Sequence, residues 1–377
     1  MRRFWLLGVT LAFAACAPTT NTPTVSVADR DLEQQKQFEL VLEDNRRHTE
    51  RAHRIYTRIA RANVDSCPNV RALMGVHTTE KQSFKGNELI AAIKVYNLIV
   101  DHPMVFYSAA DAVQIGDFVT KVEGKPVSCA ADIAKFAPAG EGPVNMTVLR
   151  SGKEIDVVVP RVRQCGYGLK VVNQSMVNAF ATGADIIFTT GMMQYASTDD
   201  ELALVMGHEM AHNVEDHVDK QKGNQFAGML LGAVIGGATG IDMTSTFGRM
   251  GAMAFSQEFE AEADYVGMYY AAKAGFGIKD APKFWRKMAV QNPNAIAHGT
   301  THPDTASRFL ALEKTVEEIE GKRAAGKPLL PERKIGQVSN PQAAGTEEQT
   351  PEQEARNRRR ADCLAAYSAT PRRCDQY

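Results

Sequence analysis

Two histidines four residues apart, with a glutamate directly after the first, are the residues of this sequence best equipped for chemistry: His208-Glu209-Met210-Ala211-His212. On a helix, side chains at i and i+4 stand one turn apart on one face, so both imidazoles can bind a single metal ion. Glu209 falls beside that face, where a carboxylate can take a proton from metal-bound water without itself ligating the metal. Catalytic zinc needs a third protein ligand and leaves its fourth position to water. A histidine six residues beyond His212 would be one solution, but Val218 stands there. The third ligand must come from another element.

The sequence around the motif favours a helix. Thr198 offers a cap, Asp199, Asp200 and Glu201 put acidic residues in the first turn, and Leu202, Val205 and Met206 form an apolar stripe. A second amphipathic helix is expected over Met253 to Ala274, carrying Glu258, Glu260, Glu262 and Asp264. Spacing divides these acids into two faces, Glu260 with Asp264 and Glu258 with Glu262, and periodicity does not choose between them. Upstream, Ala184 to Thr190 reads as a strand ended by Gly191. Between the two helices, Phe226 to Ile241 is apolar and dense in glycine, too short to span a bilayer, and reads as a mobile loop or a surface touching lipid or a partner.

The His208 to His212 run, together with Ser256-Gln257-Glu258-Phe259-Glu260-Ala261-Glu262-Ala263-Asp264, resembles the HtpX-like and CAAX-prenyl-protease-like family of gluzincin peptidases. Val177-Asn178-Ala179-Phe180-Ala181, Thr301-His302-Pro303 and Arg308 extend the similarity, which covers about residues 173–312. The resemblance implies one Zn2+ held by His208, His212 and Glu260, with Asp264 fixing a ligand histidine from behind. It implies that Glu209 is the general base and that Arg308 stabilises the tetrahedral oxyanion. Asn178, Ala179 and Phe180 would border the cleft, where an extended polypeptide substrate can pair with the strand edge. His302 would approach the metal and could gate it. Glu258 and Glu262 are left as solvated face and His217 as structural.

A length of 377 residues suits two domains plus tails. With 43 basic against 44 acidic residues, the chain lacks the positive field a nucleic-acid binder uses, and no DNA or RNA partner is expected. Residues 1–16 read as an export signal whose Phe13-Ala14-Ala15-Cys16 resembles a lipobox, with Phe13 where leucine is usual; lipidation of Cys16 would anchor the chain at the membrane, on the outer membrane in a Gram-negative host. An ordinary cleavage site at Ala12 to Ala14 is the other reading. Residues 17–31 read as a tether, 32–68 as a long helix packing on the peptidase part, and 327–377 as a disordered tail with a short charged helix. Residues 86–160 are rich in β-branched residues with closely spaced turns, and Ile115-Gly116-Asp117-Phe118-Val119 with Val122 to Val127 and Val144 to Lys153 resembles a bacterial PDZ domain. The peptidase part is expected over 166–321. Export favours disulfides, and the expected pairs are Cys67 with Cys165 and Cys363 with Cys374, leaving Cys129 over. The fold expected is α+β: a mainly helical zincin-type peptidase domain with a small edge-strand sheet, interrupted by a PDZ-like β-rich insertion. The function expected is zinc-dependent endopeptidase action on exported or envelope proteins; a chaperone-like zinc lipoprotein that binds clients without cleaving them is the alternative.

Overall fold

The structure, a computed structural model, describes residues 23–138, 140–222, 255, 257–291 and 306–333. The signal and Cys16, the glycine-dense segment from Phe226 to Ile241, His302, Cys363 and Cys374 lie outside the described residues.

A single helix, α1 (Val27–Ala62), ties the molecule together. It begins five residues before the expected start at 32, because Ser26 supplies an N-cap whose hydroxyl accepts from the Asp29 amide, so the tether read over 17–31 ends sooner. Its far end is stopped by Asn63, whose side-chain amide donates to the Ile59 and Tyr270 carbonyls. Along its length α1 serves two cores. Leu42 packs with α2 (Gly86–Val95), whereas Ile55, Tyr56 and Ile59 are buried in the larger helical core.

Next come two short strands, β1 (Val70–Leu73) and β2 (Val76–Thr79), then α2, then β3 (Met104–Ser108), β4 (Phe118–Val122) and β5 (Lys125–Pro126). Helix α3 (Ala130–Phe136) precedes β6 (Val144–Arg150), β7 (Lys153–Val159) and β8 (Val162–Cys165). The order β2-β3-β4-β6-β7, with β5 beside β4, forms one sheet of antiparallel pairs. Strands β6 and β7 are joined at Ser151-Gly152, both at positive φ (50° and 78°), as the tightest hairpin turns require. Alternation buries Val144, Met146 and Val148 while Asn145 stays exposed, and Val105, Val119, Val122 and Val159 with Ile133 of α3 complete a local aliphatic core. This sheet therefore starts at Val76, ten residues before the expected boundary at 86, and it includes a helix, α2, that the β-branched composition concealed.

The sheet joins the rest through paired chain segments. Strand β1 lies antiparallel to β8 with Val70 opposite Cys165, the Gly166 amide donates to the Asn69 carbonyl, and a disulfide links Cys67 to Cys165 with Cα atoms 5.6 Å apart. Tyr56 of α1 locks this neck to the helix by donating to the carbonyls of Cys165 (3.1 Å) and Tyr167 (2.6 Å).

Beyond the neck, β9 (Gly168–Val172), β10 (Ala179–Ala181) and β11 (Asp185–Thr189) form a three-stranded sheet in the order β10-β11-β9, parallel between β11 and β9 and antiparallel between β10 and β11. Helices α4 (Thr190–Tyr195), α5 (Asp199–Val214), α6 (His217–Lys222), α7 (Gln257–Lys273), α8 (Ala281–Gln291) and α9 (Ala306–Ala324) follow. Residues 327–333, expected to be disordered, run as an ordered strap: Lys322 donates to the Leu330 carbonyl (2.7 Å), Tyr265 accepts from the Glu332 amide (2.9 Å), and Arg333 forms a two-pronged ion pair with Glu215. No helix among the described residues is long and apolar enough to cross a membrane.

Candidate metal centre

Helix α5 starts with a complete capping box. Thr198 accepts from the Glu201 amide (3.1 Å) while Glu201 accepts from the Thr198 amide (3.2 Å), so two of the orphan amides at the helix start are satisfied. The helix is less amphipathic than its sequence suggests, since every residue from Leu202 to Asn213 is buried. It is enclosed by α1, α7 and the three-stranded sheet, so its polar face meets protein rather than water.

What sets the distance between α5 and α7 is a pair of glycines. A Cβ on Gly207 would run into the Gly267 carbonyl, and one on Gly267 would lie 2.6 Å from the His208 amide nitrogen. With hydrogen atoms in both places the backbones touch, and the acids of α7 reach the imidazoles of α5. The two Nε2 atoms of His208 and His212 lie 3.1 Å apart, and the Glu260 carboxylate sits 3.6 Å from the first and 3.4 Å from the second. One donor atom from each of these three residues falls within 4.8 Å of the others, all three are buried, and no residue is more than 1% exposed. Two imidazole nitrogens and one carboxylate, converging in a buried setting, are a donor set that suits zinc.

The periodicity of α7 left two faces open. In the structure the face bearing Glu260 and Asp264 is the one turned to the histidines. Asp264 lies 3.0 Å from His208 Nδ1, a position from which a carboxylate can fix the tautomer and rotation of an imidazole. Arg308 of α9 closes the group from behind. Its Nη2 donates to Asp264 (2.8 Å), its Nε makes a second bond to the same carboxylate, and Nη2 lies 3.2 Å from Glu260. Burial alone would push the Asp264 carboxyl up, but the charge and hydrogen bonds of Arg308, with His208, hold it below the ordinary value. Arg308 is thus 5% exposed and committed to two carboxylates, with Trp285 5.2 Å beneath its guanidinium. Glu209 is buried at 2% exposure on the same helix as the two histidines.

Asn178, Ala179 and Phe180 lie at and in β10, which among the described residues has a strand partner only on its β11 side. Ala179 and Phe180 are buried. The loop before β10 is held by Thr189, whose hydroxyl donates to the carbonyls of Met176 and Asn178 while its own amide donates to Asn178.

One reading of a single residue changes. Glu262 is not simply solvated face: its carboxylate lies 3.0 Å from His217 Nε2, and that bond, with the charges around it, holds its pKa below the ordinary value. His217 in turn touches His212. The glycine contact was also missed, although its signal, Gly207 directly before His208 and Gly267 inside a helix, stood in the sequence.

Residues 148–316 match peptidase family M48. The M48 match begins within β6 and ends within α9, so it contains every residue of the group just described. Among curated proteins, the chain is 32% identical over 153 residues to the mitochondrial metalloendopeptidase OMA1 of Arabidopsis thaliana, covering 39% of this chain and 32% of that relative. The namesake protein of Schizosaccharomyces pombe is 28% identical over 192 residues, 48% of this chain and 56% of the relative. The beta-barrel assembly-enhancing protease of Yersinia pestis is 27% identical over 136 residues, 32% of this chain and 28% of the relative. The chain thus spans between about a quarter and little more than half of these relatives. The M48 match and the names of the relatives support a hydrolase of the metalloprotease class.

Proposed function

We propose that this chain is a zinc-dependent endopeptidase that hydrolyses peptide bonds in exported or envelope polypeptides as part of protein quality control. The observation that carries the proposal is the buried convergence of His208, His212 and Glu260 with Glu209 one residue from the first ligand. A purely structural zinc site has four protein ligands and no use for a general base, whereas the donor set among the described residues counts three, with the Glu209 carboxylate on the same helix as two of them.

Bound zinc would supply Lewis-acid polarisation of a carbonyl and an acidified water. The protein's own residues do the rest. Glu209 takes the proton of the attacking water and can pass it to the departing amine, the usual double duty of a general base and acid. Asp264 orients His208, and Arg308, bonded to Asp264 and 3.2 Å from Glu260, holds the Asp264 carboxyl below its ordinary value. Oxyanion stabilisation by Arg308 belongs to the proposal as well. The edge of β10 at Asn178 to Phe180 would receive an extended substrate by antiparallel pairing.

Several further assignments belong to this reading. Cys16 would carry the lipid anchor on the periplasmic side of the envelope, the six-stranded sheet would act as a PDZ-like client-binding or spacing module, and His302 would gate the metal. The printed name of the Yersinia relative joins proteolysis to β-barrel assembly and supports exported clients as substrates. A client-binding protein that retains zinc without cleaving is the competing reading, and the placement of Glu209 weighs against it. Incubating the purified chain with unfolded casein tests the choice. Cleavage abolished by a chelator and restored by one equivalent of Zn2+ is expected, while intact casein retained in a stable complex with the zinc-loaded chain would favour the binding protein.

A further inference from the structure

His217 lies five residues after His212, beyond a turn in which Asp216 takes a positive φ of 59°, and it opens α6. Its ring is fully buried, and a buried imidazole needs partners for both nitrogens. Nδ1 finds His212 Nδ1 at 3.1 Å, and Nε2 finds the Glu262 carboxylate at 3.0 Å. Both rings are clamped by aromatic faces. His212 stacks on Phe255 (centroids 3.9 Å apart, planes 18° apart) and His217 on Phe259 (4.5 Å, 15°).

With both rings neutral, one proton arrangement satisfies the whole chain of contacts. A carboxylate only accepts, so His217 carries its hydrogen on Nε2 and points it at Glu262, which leaves a lone pair on His217 Nδ1. That lone pair can only accept, so His212 must carry its hydrogen on Nδ1. His212 Nε2 is then the atom with a free lone pair, and it is the atom facing Glu260 and His208 Nε2. We propose that Glu262 and His217 are positioning residues for His212, a carboxylate–imidazole pair that fixes the tautomer and rotation of this metal ligand from the protein surface. The inference rests on His212 being a metal ligand, as in the function proposed above. The two ligand histidines are then oriented by different devices: His208 by direct contact with the buried Asp264, and His212 through an intervening imidazole by Glu262, which is 44% exposed.

Zinc affinity of the full chain, measured at fixed pH by competition with a chromophoric chelator, tests this, with thermal stability of the metal-free protein as the second readout. His217→Phe keeps the stack on Phe259 but removes the acceptor, and should weaken zinc binding about 10- to 100-fold. His217→Asn places a carbonyl oxygen near the lost Nδ1 and should recover affinity to within about threefold of wild type. Glu262→Gln should weaken binding severalfold in the wild-type background and have no further effect beside His217→Asn, because the link is already cut. Wild-type zinc affinity in His217→Phe, or an equal loss from Glu262→Gln in both backgrounds, would overturn the proposal, the first leaving His217 a packing residue and the second making Glu262 a general surface charge. If His217→Phe does not fold, the two polar variants decide alone. His212→Ala separates the underlying reading: if it leaves zinc affinity untouched, His212 is not a ligand and the metal assignment itself has failed.

Discussion

The helical core around α5 and α7 and the six-stranded sheet around β4 and β6 are both buried, yet they are built on opposite rules. The sheet core is valine-rich, with Val105, Val119, Val122, Val144 and Val159 sharing the work, and its hydrogen bonds run strand to strand. The helical core encloses His208, Glu209, His212, His217, Glu260, Asp264 and Arg308, all at 5% exposure or less. Burying charge is costly unless every group is paired, so this region is organised around partners rather than volume. A methyl group lost from the sheet costs packing alone; a group lost from the helical core also leaves a buried charge short of a partner.

The sharpest test of that contrast is the α7 face. Glu260→Gln removes the anionic ligand and should cost zinc affinity beyond the about 10- to 100-fold typical of losing a group behind a ligand, whereas Glu258→Gln should leave metal content near one per chain by mass spectrometry. The reverse ranking would break the assignment of the face. The next effect is steric. Gly267→Ala forces a methyl group against the His208 backbone at 2.6 Å, where no flexible side chain can move aside. It should cost about 3 kcal/mol or more in denaturant unfolding and loosen zinc binding, whereas Val119→Ala in the sheet should cost about 1 to 3 kcal/mol and leave zinc binding unchanged. Equal losses of zinc affinity would erase the distinction between the regions.

A smaller effect lies where the regions meet. His53 of α1 packs against His77 of β2 with ring centroids 3.9 Å apart and planes tilted by 40°, beside Phe106 and Tyr107. Burial, reinforced by the charge of His77, pushes His53 down to about 3, and burial pushes His77 down to about 4, from an ordinary 6.5. Both are neutral in the folded protein at pH 7, so their contribution is complete above about 6.5. Below it the unfolded chain takes up protons that the folded chain refuses, and stability falls with pH until about 4 to 3, by up to about 2.7 kcal/mol per unit for two groups. Urea unfolding at pH 7 and pH 5 measures this, and His77→Phe should reduce the slope by roughly half. A slope unchanged by His77→Phe would mean that the joint is not where the acid sensitivity resides.

Much of the centre was legible because helices have a fixed period. His208, Glu209 and His212 declare a common face at i and i+4, and the acids of α7 divide into two faces by the same rule. Which face turns inward was not legible from period alone, since that depends on the Gly207–Gly267 contact between segments about sixty residues apart in sequence. The contact of Glu262 with His217 was illegible for a similar reason: one is half-exposed and the other follows a turn, and only tertiary placement brings them together. In the sheet, alternating valines and the Ser151-Gly152 turn marked β6 and β7, while β2 and α2 escaped because four half-buried residues and a ten-residue helix carry weak patterns. The strap at 327–333 has polar composition, and its order comes from bonds to Tyr265, Lys322 and Glu215 and from Leu329 packing on the helical core, which composition does not encode.

The central claim is that Glu209 activates water at a metal held by His208, His212 and Glu260. Glu209→Gln keeps the size of the side chain and removes its basicity, so the comparison with wild type isolates that step. The account predicts a folded variant with about one zinc per chain whose cleavage of unfolded casein is about 10²- to 10⁴-fold slower. Wild-type turnover by a zinc-loaded Glu209→Gln protein would contradict it.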